Sequence, residues 1–547
     1  MAPSVLSLMA LVSCVTGLLG PRQHMLHHRL NLNEQPVVAR DAPLYEAHVM
    51  PIPVDHFHND SLYAPHSSAN FSQRYWVDDR FYRPGGPVFL LAGGETSGAD
   101  RLPFLQKGII AQLAEATHGL GIVLEHRYYG ESLPTDDFST ASLRFLTTDQ
   151  ALADFAYFAQ TFRIPGREHV DVSPATTPWI GYGGSYAGAF VAFARQTYPE
   201  VFWGAISSSG VTAAVVDFWE YYEAARVFAP GKCATQTARI TDIVDTVLAS
   251  SDKLARKELR AVWGLQGVSA DADFAAALSL GIQGLQGTNW DPAVSSTAWS
   301  TYCGNVSAAT VQFPTTQGRE RKVRELVVAG GYADRVEEMT TAMLNSIGWT
   351  QEWVVKRCVG RTQDECFGSG NETFYAQDDL TQTWRLWMYQ VCTEWGYFQT
   401  GSSVPSTQLP LISRLIDLPH ESLICRHSFN ITHPPAVSRI NARGGFSFSY
   451  PRVALLDGEH DPWRAATPHK LGLPQRETTA SEPYWLIPGG VHHWDENGVF
   501  ANESVPGVFP PKEIVEVQAA EVTFVKGWLK EWEREKSVAP GQTVMEL

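Results

Sequence analysis

Three stretches of this 547-residue chain hold the residue types that hydrolytic chemistry uses. In Trp179-Ile180-Gly181-Tyr182-Gly183-Gly184-Ser185-Tyr186-Ala187-Gly188, a single serine stands in a glycine-rich turn. Asp457-Gly458-Glu459-His460-Asp461-Pro462-Trp463-Arg464 holds three carboxylates, and Gly489-Gly490-Val491-His492-His493-Trp494-Asp495 holds two adjacent histidines. A hydroxyl is a weak nucleophile until a base takes its proton, and an imidazole serves as that base when a carboxylate fixes its tautomer. Serine, acid and histidine in this chain order therefore suit acyl transfer. Spacing leaves the choice within each cluster open: Asp457, Glu459 and Asp461 compete for the acid, His492 and His493 for the base. Taken singly, the loop acids also suit turns and caps, and either histidine suits a structural hydrogen bond. His460, Asp461, His492 and His493 are metal-ligand types too, but no H-E-x-x-H pattern accompanies them, so neither metal nor other cofactor is expected.

The elements around these clusters must bring them together. Residues 179–182 read as a buried strand and the text after Ser185 as a helix through Tyr198, which makes Ser185 the turn between them. Strand, Gly-x-Ser-x-small and helix form the nucleophile elbow of α/β-hydrolases, where residues two before and two after the serine must be small. Gly183 and Ala187 meet that need. Further strand-like stretches read at 73–77, 87–92, 121–124, 452–456 and 484–488, with helices at 105–115 and 149–162. Alternation of this kind predicts an α/β fold with a mostly parallel sheet, whose strand ends carry the acid and histidine loops. The oxyanion hole needs two backbone N–H groups, expected from Tyr186 and from Gly94 in the loop after strand 87–92. The same elbow could serve a carboxylesterase or lipase, or persist in a non-catalytic binding protein.

Composition narrows the class. The chain is 44% hydrophobic and only 18% charged, with a formal net charge of −16, which disfavours phosphate backbones and makes nucleic acid an unexpected partner. Beyond the N-terminus no apolar run approaches the ~20 residues that span a bilayer, so no membrane partner is expected; a homodimer is left open. Residues 5–19 are apolar and end in small residues, so 1–20 read as a secretory signal peptide and 21–44 as a polar leader. With Cys14 removed, Cys233, Cys303, Cys358, Cys366, Cys392 and Cys425 remain, an even set that predicts three disulfides in an exported protein. Sequons at Asn59, Asn70, Asn305, Asn371, Asn430 and Asn502 agree with secretion.

From residue 211 the text turns helical, with amphipathic spacing over 215–228 and 236–249. All six cysteines fall within 211–435. Setting that stretch aside leaves 45–210 and 436–547, about 278 residues, a reasonable size for one α/β domain. The expectation is thus an α/β-hydrolase core interrupted by a large, mainly helical, disulfide-containing insertion that caps the site.

Glu125-His126-Arg127-Tyr128-Tyr129-Gly130-Glu131-Ser132-Leu133-Pro134 resembles the signature of the serine peptidase family of lysosomal Pro-X carboxypeptidase and dipeptidyl peptidase II. Gly183 to Gly188, Asp461-Pro462-Trp463 and Gly489 to His493 match that family's other blocks in order. Phe71-Ser72-Gln73-Arg74-Tyr75-Trp76 and Asp461-Pro462-Trp463-Arg464 are most similar to its secreted fungal proline-specific branch. The likeness spans about residues 45–535. It implies Asp461 as the acid, His492 as the base, cleavage on the carboxyl side of proline in peptides or proteins, and Trp463 as a wall of the proline pocket. Where the family usually reads Gly-Asn-Glu-Gly, this chain has Gly93-Gly94-Glu95-Thr96. Glu95 there suits either a substrate amine or a structural role. Endopeptidase, carboxypeptidase and dipeptidyl peptidase activities all occur in the family.

Overall fold

A computed structural model describes residues 45–537. The expected signal peptide and leader, with Cys14, lie outside the described residues. The described chain forms two compact units: one from residues 45–216, Gln377–Gly396 and 429–537, the other from Asp217–Ala376 and Tyr397–Ser428.

The first unit is built on an eight-stranded sheet: β1 (His48–Pro53), β2 (Asn70–Asp78), β3 (Val88–Ala92), β4 (Leu120–Leu124), β5 (Trp179–Gly184), β6 (Gly204–Ser208), β7 (Val453–Gly458) and β8 (Tyr484–Ile487). Their order is β1-β2-β4-β3-β5-β6-β7-β8. Pairing is antiparallel from β1 to β2 and from β2 to β4, and parallel elsewhere. Every residue of β3 and β4 is buried, as continuous apolar runs in parallel strands require. Two helical layers flank the sheet, and the register shows how. Gly121 pairs with Phe89 and Gly181 with Leu90, so the two glycines face opposite sides. A Cβ at Gly121 would meet Leu105 and Ile110, on α1 (Leu102–Gln106) and α2 (Ile109–Thr117). A Cβ at Gly181 would meet Phe155 and Val191, on α3 (Thr148–Thr161) and α4 (Tyr186–Thr197). The long C-terminal helix α5 (Lys512–Ser537) packs on α2 and β8, burying Ile514, Val517, Val525 and Trp528.

The helix expected over 105–115 is two helices. Gly108 comes so close to the Glu496 carbonyl that a Cβ would lie 2.4 Å from its oxygen, and the chain turns there. The single helix expected over 215–228 is also divided: Val215–Asp217 is a strand, Trp219–Tyr222 a 3₁₀ turn, and only Glu223–Phe228 is α-helical. β-branched Val215 and Val216 favour the extended form, which hydrophobic spacing alone does not register.

The second unit is helical, with Cys233–Ala249, Lys253–Trp263, Ala298–Ser307, Glu320–Ala329 and Val336–Trp353 as its longest α-helices among the described residues. Disulfides Cys233–Cys303 and Cys358–Cys366 cross-link it. Cys392 and Cys425 are disulfide-bonded as well. Of the sequon asparagines, Asn59, Asn70, Asn430 and Asn502 are exposed, while Asn305 and Asn371 are half-buried. Asn371 Oδ1 accepts from the Phe374 N–H at the start of a short helix.

Candidate active site

Ser185 is held in a conformation that side chains rarely adopt, φ 63° and ψ −127°, between the last residue of β5 and the first of α4. Such backbone costs roughly 1–3 kcal/mol and persists only where the surroundings enforce it. Here they do: the Ser185 N–H donates to the Ser208 carbonyl (2.9 Å), and its own carbonyl accepts from the Gly188 N–H (3.0 Å). The strand–helix crossing is tight enough that a Cβ at Gly183 would lie 2.3 Å from the Ala187 carbonyl oxygen, and one at Gly188 2.8 Å from that of Ser208.

The structure brings Ser185, His492 and Asp461 together. Ser185 Oγ lies 2.7 Å from His492 Nε2, and His492 Nδ1 lies 2.8 Å from Asp461 Oδ2. All three are buried. Asp461 follows β7 and His492 follows β8, so adjacent parallel strands deliver acid and base to one end of the sheet. With its proton on Nδ1, the imidazole is held by the carboxylate and offers Nε2 to the serine hydroxyl. That arrangement can take the hydroxyl proton during attack on a carbonyl and return it to a leaving group.

The competing residues have other partners. Asp457 Oδ2 pairs with His469 Nδ1 at 2.6 Å, and the His469 ring stacks on Tyr484. Glu459 accepts from the Gly489 N–H at 2.9 Å. His493 adopts a left-handed conformation and points its ring at Glu496, Nδ1 to Oε2 2.9 Å. The two histidines consequently differ in charge preference. Burial lowers the His492 pKa below the ordinary imidazole value, outweighing Asp461. Burial acts on His493 in the same direction, but the Glu496 carboxylate outweighs it and the pKa rises. A neutral base thus sits next to a ring that favours the cation.

The other expected site residues lie close by. Gly94 has φ +70°, and a Cβ there would come 3.3 Å from Ala187 Cβ, so the loop after β3 reaches the elbow next to Tyr186. Glu95 buries both carboxylate oxygens without a hydrogen-bond partner among the described residues. Burial raises its pKa, opposed by Arg101. The Trp463 N–H donates to Asp461 Oδ1 at 2.9 Å; its indole is fully buried, 6.5 Å between centroids from the His492 ring.

Sequence reasoning overlooked two supporting clusters. Glu125 accepts from Arg74 (2.9 and 2.6 Å), Gly98 N–H (3.0 Å), Glu131 N–H (3.0 Å) and Ser132 Oγ (2.7 Å), tying the loop after β3 to β2. Behind the elbow, Asp495 accepts from Ser208 Oγ and Tyr182 OH, both at 2.5 Å. Burial and the neighbouring Glu496 push its pKa up to about 6. Glu521, on α5, is raised well above the usual carboxylate range by burial and by Asp495 and Glu496. Acidic text so soon after two histidines was the available signal for this cluster.

The family model described as "Serine carboxypeptidase S28" matches residues 53–506. A "Probable extracellular serine carboxypeptidase" of Arthroderma benhamiae is 48% identical over 489 residues, covering 89% of this chain and 68% of that protein. The "Thymus-specific serine protease" of Mus musculus is 32% identical over 444 residues, covering 78% of each chain. Among solved structures, the proline iminopeptidase of Mycobacterium smegmatis aligns over 88% of this chain and 99% of its own, at 13% identity and a TM-score of 0.34.

Proposed function

The chain belongs to the serine carboxypeptidase S28 family, and from that premise we propose that this extracellular serine peptidase cuts peptides on the carboxyl side of proline, with Ser185 as nucleophile, His492 as base and Asp461 as the orienting acid. The observation that carries this reading is the unbroken chain of short contacts, Ser185 Oγ to His492 Nε2 at 2.7 Å and His492 Nδ1 to Asp461 Oδ2 at 2.8 Å. Ser185 attacks the carbonyl carbon after proline while His492 takes the hydroxyl proton. The N–H groups of Tyr186 and Gly94 receive the developing oxyanion. His492 returns the proton to the leaving amine, and water then releases the acyl group by the reverse sequence. Trp463 stands beside the His492 ring, where a flat indole suits the rigid proline ring.

Two experiments test the proposal. Ser185→Ala should lower turnover of a proline-containing peptide by about 10⁴ to 10⁶-fold with folding unchanged; near-normal hydrolysis would remove the assignment. Peptides matched except for proline or alanine at the residue supplying the scissile carbonyl read the specificity, and equal kcat/KM would remove the proline claim. Glu95 gives the mode a handle, since its buried carboxylate lies in the loop beside the elbow. If it receives a substrate amine, Glu95→Gln raises KM for peptides with a free N-terminus and leaves blocked ones unchanged. An equal effect on both would make Glu95 structural.

A further inference from the structure

Away from the elbow, the loop between β1 and β2 folds back on itself and gathers Asp55, His58 and His66. One ligand-type atom from each lies within 4.8 Å of the other two. The carboxylate is buried and already fixed. Asp55 Oδ1 accepts from the Phe57 N–H (2.9 Å) and from Gln150 Nε2 on α3 (2.8 Å), while Oδ2 faces His66 Nδ1 at 2.7 Å. Burial would raise the Asp55 pKa, but these donors together with the nearby His58 hold it below its ordinary value. Both imidazoles are exposed, with ring centroids 5.8 Å apart. His56, though adjacent in sequence, is engaged elsewhere: its Nε2 lies 2.8 Å from Asp154, which also holds Arg127.

We propose that Asp55, His58 and His66 form a binding site for a divalent transition-metal ion of the zinc class, separate from the peptidase site. The donor set, two imidazoles and one carboxylate, suits zinc and its neighbours rather than calcium or magnesium, which prefer oxygen ligands. With tetrahedral metal–ligand bonds of about 2.0–2.2 Å, neighbouring ligand atoms stand roughly 3.3–3.6 Å apart, so the Asp55–His66 pair, now at 2.7 Å, opens by less than about 1 Å to admit the ion. Binding selects the His66 tautomer with its hydrogen on Nε2: the hydrogen on Nδ1 leaves to solvent as Nε2 takes one up, so the ring stays neutral, and the Nδ1 lone pair and a carboxylate oxygen of Asp55 both go to the ion. A side-chain rotation at exposed His58 supplies the third ligand, and water fills the remaining position. Gln150 and the Phe57 N–H stay on the other carboxylate oxygen, the supporting contacts that orient a metal-bound carboxylate. The ion would clip the 54–69 loop to α3.

Zinc chloride titrated into the full-length protein at pH 7.5, with calorimetric detection, tests this directly. Single His58→Ala and His66→Ala variants control for other histidines, and both positions are exposed enough to leave the fold intact. The expected result is one zinc site in the parent that weakens by at least ~10-fold in each variant. Zinc should also protect both imidazoles from diethylpyrocarbonate, read residue by residue by mass spectrometry. Unchanged zinc affinity and stoichiometry in both variants, or labelling of both rings unaffected by zinc, would overturn the site.

Discussion

Asp461 divides its two oxygens between the Trp463 N–H and the His492 ring, and that division explains a choice spacing could not make. Asp457, Glu459 and Asp461 stand two residues apart, so at sequence level they are equal claimants. The contacts separate them because Asp457 belongs to β7 and turns to His469, whereas Asp461 opens a 3₁₀ turn beyond the strand. Asp461→Asn keeps the shape but loses the charge that favours the imidazolium, and the expected fall in kcat is on the order of 10⁴. The lowered His492 pKa makes a second prediction. In the proposed mechanism the neutral ring is the competent base, so a pKa below the ordinary ~6.5 keeps it competent into mildly acidic solution. The acid limb of kcat/KM against pH should therefore fall below pH 6.5, and a limb at or above that value would contradict the reading. Glu125 was not legible as a hub, because Arg74 and the Gly98 N–H reach it from 51 and 27 residues away.

At the level of elements, buried strands were the most legible feature: the strands expected at 87–92, 121–124 and 452–456 lie within one or two residues of β3, β4 and β7. Breaks in helices were less so, since Gly108 interrupts one for the sake of a neighbour, the Glu496 backbone, nearly 400 residues away. The elbow carries its own prediction. Gly183→Val places atoms where the Ala187 carbonyl stands, so destabilisation of at least ~1–3 kcal/mol and loss of activity should appear together in denaturant melts and assays. The two disulfides within the helical unit should differ in weight. Cys233–Cys303 spans 70 residues and Cys358–Cys366 only 8. By loop-closure entropy these correspond to about 4 and about 2.5 kcal/mol, so paired alanine replacement of the first should lower the unfolding midpoint more.

Across the whole molecule, the buried acids have a common consequence for pH. Asp495 is pushed up to about 6, and burial with nearby Asp149 takes Glu394 up to about 7 against its hydrogen bonds from Thr148. In the unfolded chain both release their protons near pH 4. Through these two acids the folded state holds more protons than the unfolded one between about pH 4 and 7, and their contribution to stability declines as pH rises through that window, opposed there by His126 and His492, whose pKa values burial lowers. His493, whose pKa is raised, acts in the same sense, its contribution fading as pH climbs through the folded value. Asp154 opposes at the other end. Arg127 outweighs its burial and lowers its pKa, so its contribution is lost as pH falls below about 4. The melting temperature should therefore be higher near pH 5 than near pH 7.5, and Glu394→Gln with Asp495→Asn should flatten the difference. Equal melting temperatures in the parent protein would contradict it.

The segment Gln377–Gly396 has a further meaning for anyone who would trim or shuffle this protein. It interrupts the helical unit in sequence yet supplies the sheet-bearing unit with Gln390 against Tyr129, Glu394 against Thr148, and Trp387 and Trp395 around Tyr186. The chain therefore passes between the units four times rather than twice. A core made by cutting out everything from 217 to 428 would lose the two tryptophans that pack on Tyr186, the residue after Ser185. Exchange of the helical unit among relatives, in the laboratory or in descent, must splice two pieces and leave the twenty residues between them in place.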